Sequence, residues 1–91
     1  MEPRIAVVMA TYNNAGTLRQ VLAGVRAHAP GPVIVVDDGS TDGSADILRD
    51  EKGIDVLRVA PNRGKGHALR RGFERARALG CTHAITIDTD G

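Results

Sequence analysis

Aromatic side chains are almost missing from this sequence, which has one tyrosine, one phenylalanine and no tryptophan among 91 residues. A chain so poor in flat rings offers little for nucleic-acid bases to stack on. Charge of one sign is missing too: 12 Lys+Arg stand against 11 Asp+Glu, for a formal net charge of +1. Neither a polyanion nor an anionic surface is therefore implied as a partner, and no nucleic acid is expected. Cys81 is the single cysteine, which rules out an internal disulfide and favours a reducing compartment. No apolar run is long enough to span a bilayer, and Met1-Glu2-Pro3-Arg4 does not open a secretory signal, so a cytoplasmic location is expected. There is no internal repeat, low-complexity tract or linker. The length allows one small domain, 1–91, with a core that is plausible at 42% apolar residues but marginal at this size.

What is present is an alternation of short apolar runs with helical patterns. Ile5 to Met9 is continuously apolar, as in a strand covered on both faces. Val33–Val36 is a second such run, Ile54–Val59 a weaker third interrupted by Arg58, and Ala84–Ile87 a fourth ending in Asp88. Three helices fit between them. Leu18, Val21, Leu22 and Val25 mark the first, with Asn14 as its expected N-cap and Pro30-Gly31-Pro32 as its break. Ala45 to Lys52 is the second, with Asp42 or Ser44 as cap. The third is expected to pack through Leu69, Gly72, Phe73 and Ala76 and to stop at Gly80.

Strands joined by helices run parallel with right-handed crossovers. The expected fold is thus α/β: a three-layer α/β/α, Rossmann-like open parallel sheet in the order 3-2-1-4. Its topological switch point lies between strands 1 and 4, and ligands bind such sheets outside the carboxyl ends of the strands. The polar segments fall at those ends: Thr11-Tyr12-Asn13, Asp37-Asp38-Gly39-Ser40, Asn62 to Gly66, and Asp88-Thr89-Asp90.

Each segment has chemistry to offer and a plainer reading beside it. Asp88 and Asp90, two positions apart, can turn to one side, where a divalent cation, Mn2+ or Mg2+, would relieve their repulsion; the plainer reading is an acidic turn. Asp42 and Ser40 read first as turn and cap residues. Nothing local requires Asp37 and Asp38 together, and a carboxylate there accepts hydrogen bonds only, which suits the ring N–H of uracil or guanine and not adenine. Asn62-Arg63-Gly64-Lys65-Gly66-His67 combines two glycines, two cations and a helix start, a setting for a diphosphate or merely an exposed basic turn. His28 and His67 are expected at the surface, His83 without an evident partner, and Cys81 as a small apolar packing residue. The dinucleotide fingerprint, the P-loop, the nucleophile elbow and a zinc-ligand cluster are all missing.

Taken in order, Val7 to Asn14, Val35 to Asp42, Asn62 to Leu69 and Ile87 to Gly91 resemble the family 2 glycosyltransferases of GT-A fold over nearly the whole chain. The Gly-Lys-Gly segment and the Asp-Thr-Asp-Gly ending look most like the branch with polyprenyl- and dolichol-phosphate sugar synthases. The resemblance implies a nucleotide-diphosphate sugar, UDP- or GDP-linked, as donor and an inverting transfer to an acceptor the sequence does not name. It also implies substrate contacts at Thr11, Tyr12, Asn13, Asp37, Asp38, Lys65 and Asp88. Within that set, Tyr12 stacks near the base, Asp38 meets its ring N–H, Lys65 lies near the base or diphosphate, and Asp88 lies on the ribose side. Asp90 is the implied metal ligand.

In the family the general base and acceptor site lie well downstream of this motif, so no catalytic residue is expected within residues 1–91, and the chain alone is expected to bind nucleotide weakly and transfer sugar poorly. A homo-oligomer through an exposed sheet edge is a further expectation. Two other readings compete: a non-catalytic nucleotide-binding or scaffold module, and a magnesium-dependent phosphatase-like domain. The second is disfavoured because strand 1 ends in Thr11-Tyr12-Asn13 and carries no acid.

Overall fold

Continuously apolar strands need cover on both faces, and the computed structural model, which describes residues 3–89, provides it for the runs at Ile5 and Val33. The elements are β1 (Ile5–Thr11), α1 (Ala15–His28), β2 (Val33–Asp37), α2 (Ser44–Asp50), β3 (Asp55–Arg58), α3 (Lys65–Ala78) and β4 (His83–Thr86). The four strands form one parallel sheet in the order β3-β2-β1-β4, as expected. Val7, Met9, Val33 and Val35 cluster with Leu18, Leu22 and Val25 of α1 and Leu48 of α2. The alternate residues Ala6, Val8 and Ile34 cluster with Ala76 of α3. Period-two alternation along β1 and β2 thus divides the core into two layers.

The elements differ in detail from expectation. β3 is shorter than Ile54–Val59, its register against β2 running only from Ile34↔Asp55 to Asp37↔Arg58. β4 starts one residue early, at His83, and Ile87 reaches the ladder only through an N–H donated to Val8 O at 3.4 Å. Among the described residues β4 is an edge, and all four of its residues are exposed. No helix of the described residues is long and apolar enough to cross a membrane.

Phe73 does not pack as expected. The buried face of α3 is Ala68, Gly72 and Ala76, with Leu69 beside it, and Phe73 remains 42% exposed. Small residues at i, i+4 and i+8 let the helix approach the sheet closely, and a ring lying 100° farther round the helix is left outside. The end of α3 is as expected. Gly80 adopts φ 81, its N–H donates to Arg77 O, and Cys81 N–H donates to Ala76 O, which together form a Schellman motif. Cys81 packs against the α3-side cluster.

The caps are redistributed. Asn14 occupies the N-cap position of α1, but its side chain makes no capping bond. The N–H of Ala15 instead donates to Asp42 Oδ2 at 3.0 Å, while Asp42 Oδ1 accepts from Ser44 N–H at 3.0 Å and Ser44 Oγ at 2.7 Å. One carboxylate therefore serves the first turns of both α1 and α2. The Ser44 hydroxyl, then the Ala15 amide, hold the Asp42 pKa below its ordinary value. A depressed folded-state pKa gives stability that is present above the unfolded pKa and is lost as pH falls through the folded one. Wild type is expected to be more stable than Asp42→Asn at about pH 7, with the gap closing as pH drops through and below the usual carboxylate range, around 4. Urea midpoints of the two proteins across that range check this; a gap independent of pH would contradict it.

Candidate functional site

At the carboxyl ends of the strands lies a cavity of about 360 Å³ lined by Ala10, Thr11, Tyr12, Asn14, Asp38, Asn62, Gly64, Lys65, Asp88 and Thr89. Its size lies within the range of small-molecule sites. All four strand ends contribute. A larger groove of about 840 Å³ runs between α1 and β4, lined by residues such as Val21, Val25, Ile85 and Ile87. That groove is mainly apolar and lies on the sheet's flank beside the exposed edge. The smaller cavity concentrates the polar groups at the topological switch point and is the better candidate.

Asp38 forms the buried corner of the cavity, at 2% exposure. Its Oδ1 accepts from Arg63 N–H at 2.9 Å, and its Oδ2 accepts from Gly64 N–H and from Asn62 Nδ2, both at 2.8 Å. Asn62 Nδ2 also donates to the Asp38 carbonyl at 3.0 Å. Three of the roughly four acceptor positions of the carboxylate are thus committed to the β3–α3 loop, leaving about one for a ligand. Gly39, next in sequence, makes the close approach possible. It adopts φ 77, and a Cβ there would lie 2.6 Å from Asn62 N.

Asp37 and Asn13, both expected to contact substrate, are not among the lining residues. Asp37 is 1% exposed and turned the other way, because neighbouring residues at a strand end point to opposite sides. Its Oδ1 accepts from Ser40 N–H at 3.0 Å, and its Oδ2 accepts from Arg58 Nη1 at 2.6 Å, closing the turn and tying β3 to β2. Asn13, with φ 54, donates its N–H to Ser40 Oγ at 3.0 Å and accepts Thr41 N–H on Oδ1 at 2.8 Å. Both residues join loops beneath the cavity.

Thr11, Tyr12, Asp38, Lys65 and Asp88 do line it. Tyr12 is 46% exposed, so its ring is open to a ligand. Lys65, the first residue of α3, places Nζ 2.7 Å from Asp88 Oδ1 across the open side. Asp90, the expected metal ligand, lies outside the described residues. Among the described residues no group of three or more His, Cys, Asp or Glu could hold a metal ion by itself. His67, expected at the surface, is half-buried with its Nδ1 enclosed. His83 does find a partner, the Thr82 hydroxyl at 2.8 Å.

Five lining residues, Ala10, Asn14, Asn62, Gly64 and Thr89, stand outside the expected set of contacts, although Asn62, Gly64 and Thr89 belong to segments expected at this rim. Asn14 reads as a helix cap, and Thr89 as a spacer between two acids. The available signal was position alone, since each adjoins a residue singled out on chemical grounds.

Comparison with known proteins agrees with this geometry. The family described as Glycosyl transferase family 2 matches residues 6–91. The chain is 32% identical over 87 residues to glycosyltransferase AglJ of Haloferax volcanii, covering 96% of this chain and 27% of that protein. It is 33% identical over 96 residues to undecaprenyl-phosphate 4-deoxy-4-formamido-L-arabinose transferase of Aeromonas hydrophila, covering 94% and 28%. A third relative, UDP-N-acetylglucosamine–dolichyl-phosphate N-acetylglucosaminyltransferase of Methanococcus voltae, is 25% identical over 103 residues, covering 96% and 41%. The chain thus spans between about a quarter and two fifths of the length of these relatives. Because the match runs through all four segments that meet at the cavity, the chain belongs to the family 2 glycosyl transferases.

Proposed function

We propose that this chain forms the donor-binding part of a glycosyltransferase, taking a UDP- or GDP-linked sugar together with Mn2+ or Mg2+. The observation that carries the reading is the single cavity to which four strand ends bring a tyrosine ring, a buried carboxylate, an ammonium and an exposed carboxylate. In this reading Tyr12 stacks on the base, and the remaining acceptor position of Asp38 meets the ring N–H of uracil or guanine. Adenine is disfavoured because its corresponding nitrogen is an acceptor. Lys65, opening α3, faces the diphosphate with the helix N-terminus behind it. Asp88 lies toward the ribose.

The donor set suits a magnesium-type ion. Such ions keep one or two carboxylates and take phosphate oxygens and water for the rest, and Asp88 presents its carboxylate at the open rim with Asp90 two residues on. When bound, the ion would supply neutralisation of charge on the departing nucleoside diphosphate. Inversion by a single displacement, with the general base contributed by sequence beyond residue 91, belongs to the same proposal. Two of the relatives carry undecaprenyl phosphate or dolichyl phosphate in their names, which supports a lipid phosphate as acceptor and a membrane surface as the place of reaction; that this surface is the cytoplasmic face belongs to the same proposal.

Titration of the chain with UDP, GDP and ADP, with and without Mn2+, tests the reading. Metal-enhanced binding of UDP or GDP, with ADP weaker, is expected. Tyr12→Ala should weaken binding about 5- to 150-fold, the loss of one base–aromatic stack worth roughly 1–3 kcal/mol. Equal binding of all three nucleotides, or none, would rule the assignment out.

A further inference from the structure

We infer that Thr89, between Asp88 and Asp90, is a positioning residue that fixes the carboxylate edge of the cavity to the loop carrying Tyr12. The inference rests on the donor-site reading above. Asp88 is exposed, yet its neighbour Thr89 is only 3% exposed, and its polar atoms are tied to β1 and to the segment that starts α1. The single hydroxyl proton of Thr89 is shared between Asn14 Oδ1 at 2.8 Å and the Ala10 carbonyl at 3.1 Å. From the opposite side, Thr17 Oγ1, in the first turn of α1, donates to the Thr89 carbonyl at 2.5 Å.

Asn14 makes the connection to the base end. Its Oδ1 accepts from Tyr12 N–H at 3.4 Å and from the Thr11 hydroxyl at 3.3 Å, as well as from Thr89. The amide orientation follows from chemistry, because a backbone N–H can only donate and an oxygen must therefore face it. One oxygen atom thus gathers the Tyr12 backbone and the residue between the two acids. Asp88 then reaches Lys65 Nζ at 2.7 Å from a backbone whose next residue, Thr89, is linked through Asn14 to Tyr12. The spacer in Asp88-Thr89-Asp90 consequently sets the distance between the base contact and the acidic edge, although it need not touch either end of the ligand.

The test compares wild type, Thr89→Val and Thr89→Ser by calorimetry with UDP and GDP, with and without Mn2+. Thr89→Val keeps the shape and removes the hydroxyl; Thr89→Ser keeps the hydroxyl. Expected is a loss of about five- to tenfold in Mn2+-dependent affinity for Thr89→Val, a change within about twofold without metal, and recovery in Thr89→Ser. In the ligand-free proteins, amide hydrogen exchange at Tyr12, whose N–H donates to Asn14 Oδ1, should speed up in Thr89→Val and not in Thr89→Ser. Equal losses with and without metal, no loss, or failure of serine to rescue overturns the inference while leaving the donor-site reading intact. Wild type binding neither nucleotide overturns that reading and the inference with it.

Discussion

Asp38→Ala is expected to reduce nucleotide binding below detection and to lower folding stability by about 2–4 kcal/mol. The carboxylate accepts from Arg63 N–H, Gly64 N–H and Asn62 Nδ2 at 2.8–2.9 Å from a buried position. Hydrogen bonds to a charged acceptor contribute roughly 1.5–3 kcal/mol each, but the 62–64 segment is partly exposed, so water recovers part of the sum. A 91-residue domain has on the order of 5–13 kcal/mol in total, so the variant should remain folded and its binding measurable. In the proposed donor site, binding should fail for two reasons at once: the ring N–H would lose its acceptor, and the loop leading to Lys65 would be released. Asp37→Ala is the control. It removes a carboxylate that is equally buried but faces Arg58 and Ser40 away from the cavity, so it should cost about 1–3 kcal/mol while nucleotide affinity changes only a fewfold. Urea denaturation and calorimetry on the three proteins separate the effects. Retained nucleotide affinity in Asp38→Ala would remove Asp38 from the site.

That contrast also marks where the sequence stops being informative. The apolar runs at Ile5, Val33 and Ala84 and the need to cover both faces led directly to the parallel 3-2-1-4 sheet. The same logic put the polar segments on one rim, and Tyr12, Asp38, Lys65 and Asp88 do meet there. Adjacent Asp37 and Asp38 were indistinguishable in one dimension. Which of the two faces the cavity depends on the pleat at the end of β2 and on Arg58 arriving from β3, a neighbour 21 residues away. Asn14 and Asp42 were each legible as cap residues, yet Asp42 takes the Ala15 amide in addition to the Ser44 amide, and Asn14 is freed to join Tyr12 to Thr89. Such pairings depend on loops meeting in space, and local spacing does not encode them. Phe73 went wrong for a related reason. Apolar spacing alone favours the ring, whereas the helix–sheet distance favours the smallest residues on that face.

That distance yields the second large effect, at Gly72. A Cβ placed there would lie 2.3 Å from Val8 Cγ1 and 3.3 Å from Val36 Cγ2. Val8 and Val36 belong to β1 and β2, the two central strands, and both are fully buried, so neither can yield without disturbing the core. Helix propensity alone would make Gly72→Ala stabilising by about 1 kcal/mol. Overpacking costs roughly 1–3 kcal/mol and opposes it. With the contact this short, the steric cost should win: Gly72→Ala is expected to destabilise by about 1 kcal/mol and Gly72→Val by 3 kcal/mol or more. Removing the obstructing methyls reverses the sign. In a Val8→Ala background the added Cβ has room, so Gly72→Ala should become neutral or stabilising, a coupling of at least about 1 kcal/mol between two residues in contact. Urea midpoints of the four proteins in that cycle measure it directly. Because α3 begins at Lys65, pushing the helix off the sheet also moves one wall of the cavity, and nucleotide affinity should fall in Gly72→Val while returning toward wild type when Val8→Ala is added. Stabilisation by Gly72→Ala in the unaltered chain would mean that α3 packs farther from β1 and β2 than the small-residue face Ala68, Gly72 and Ala76 requires.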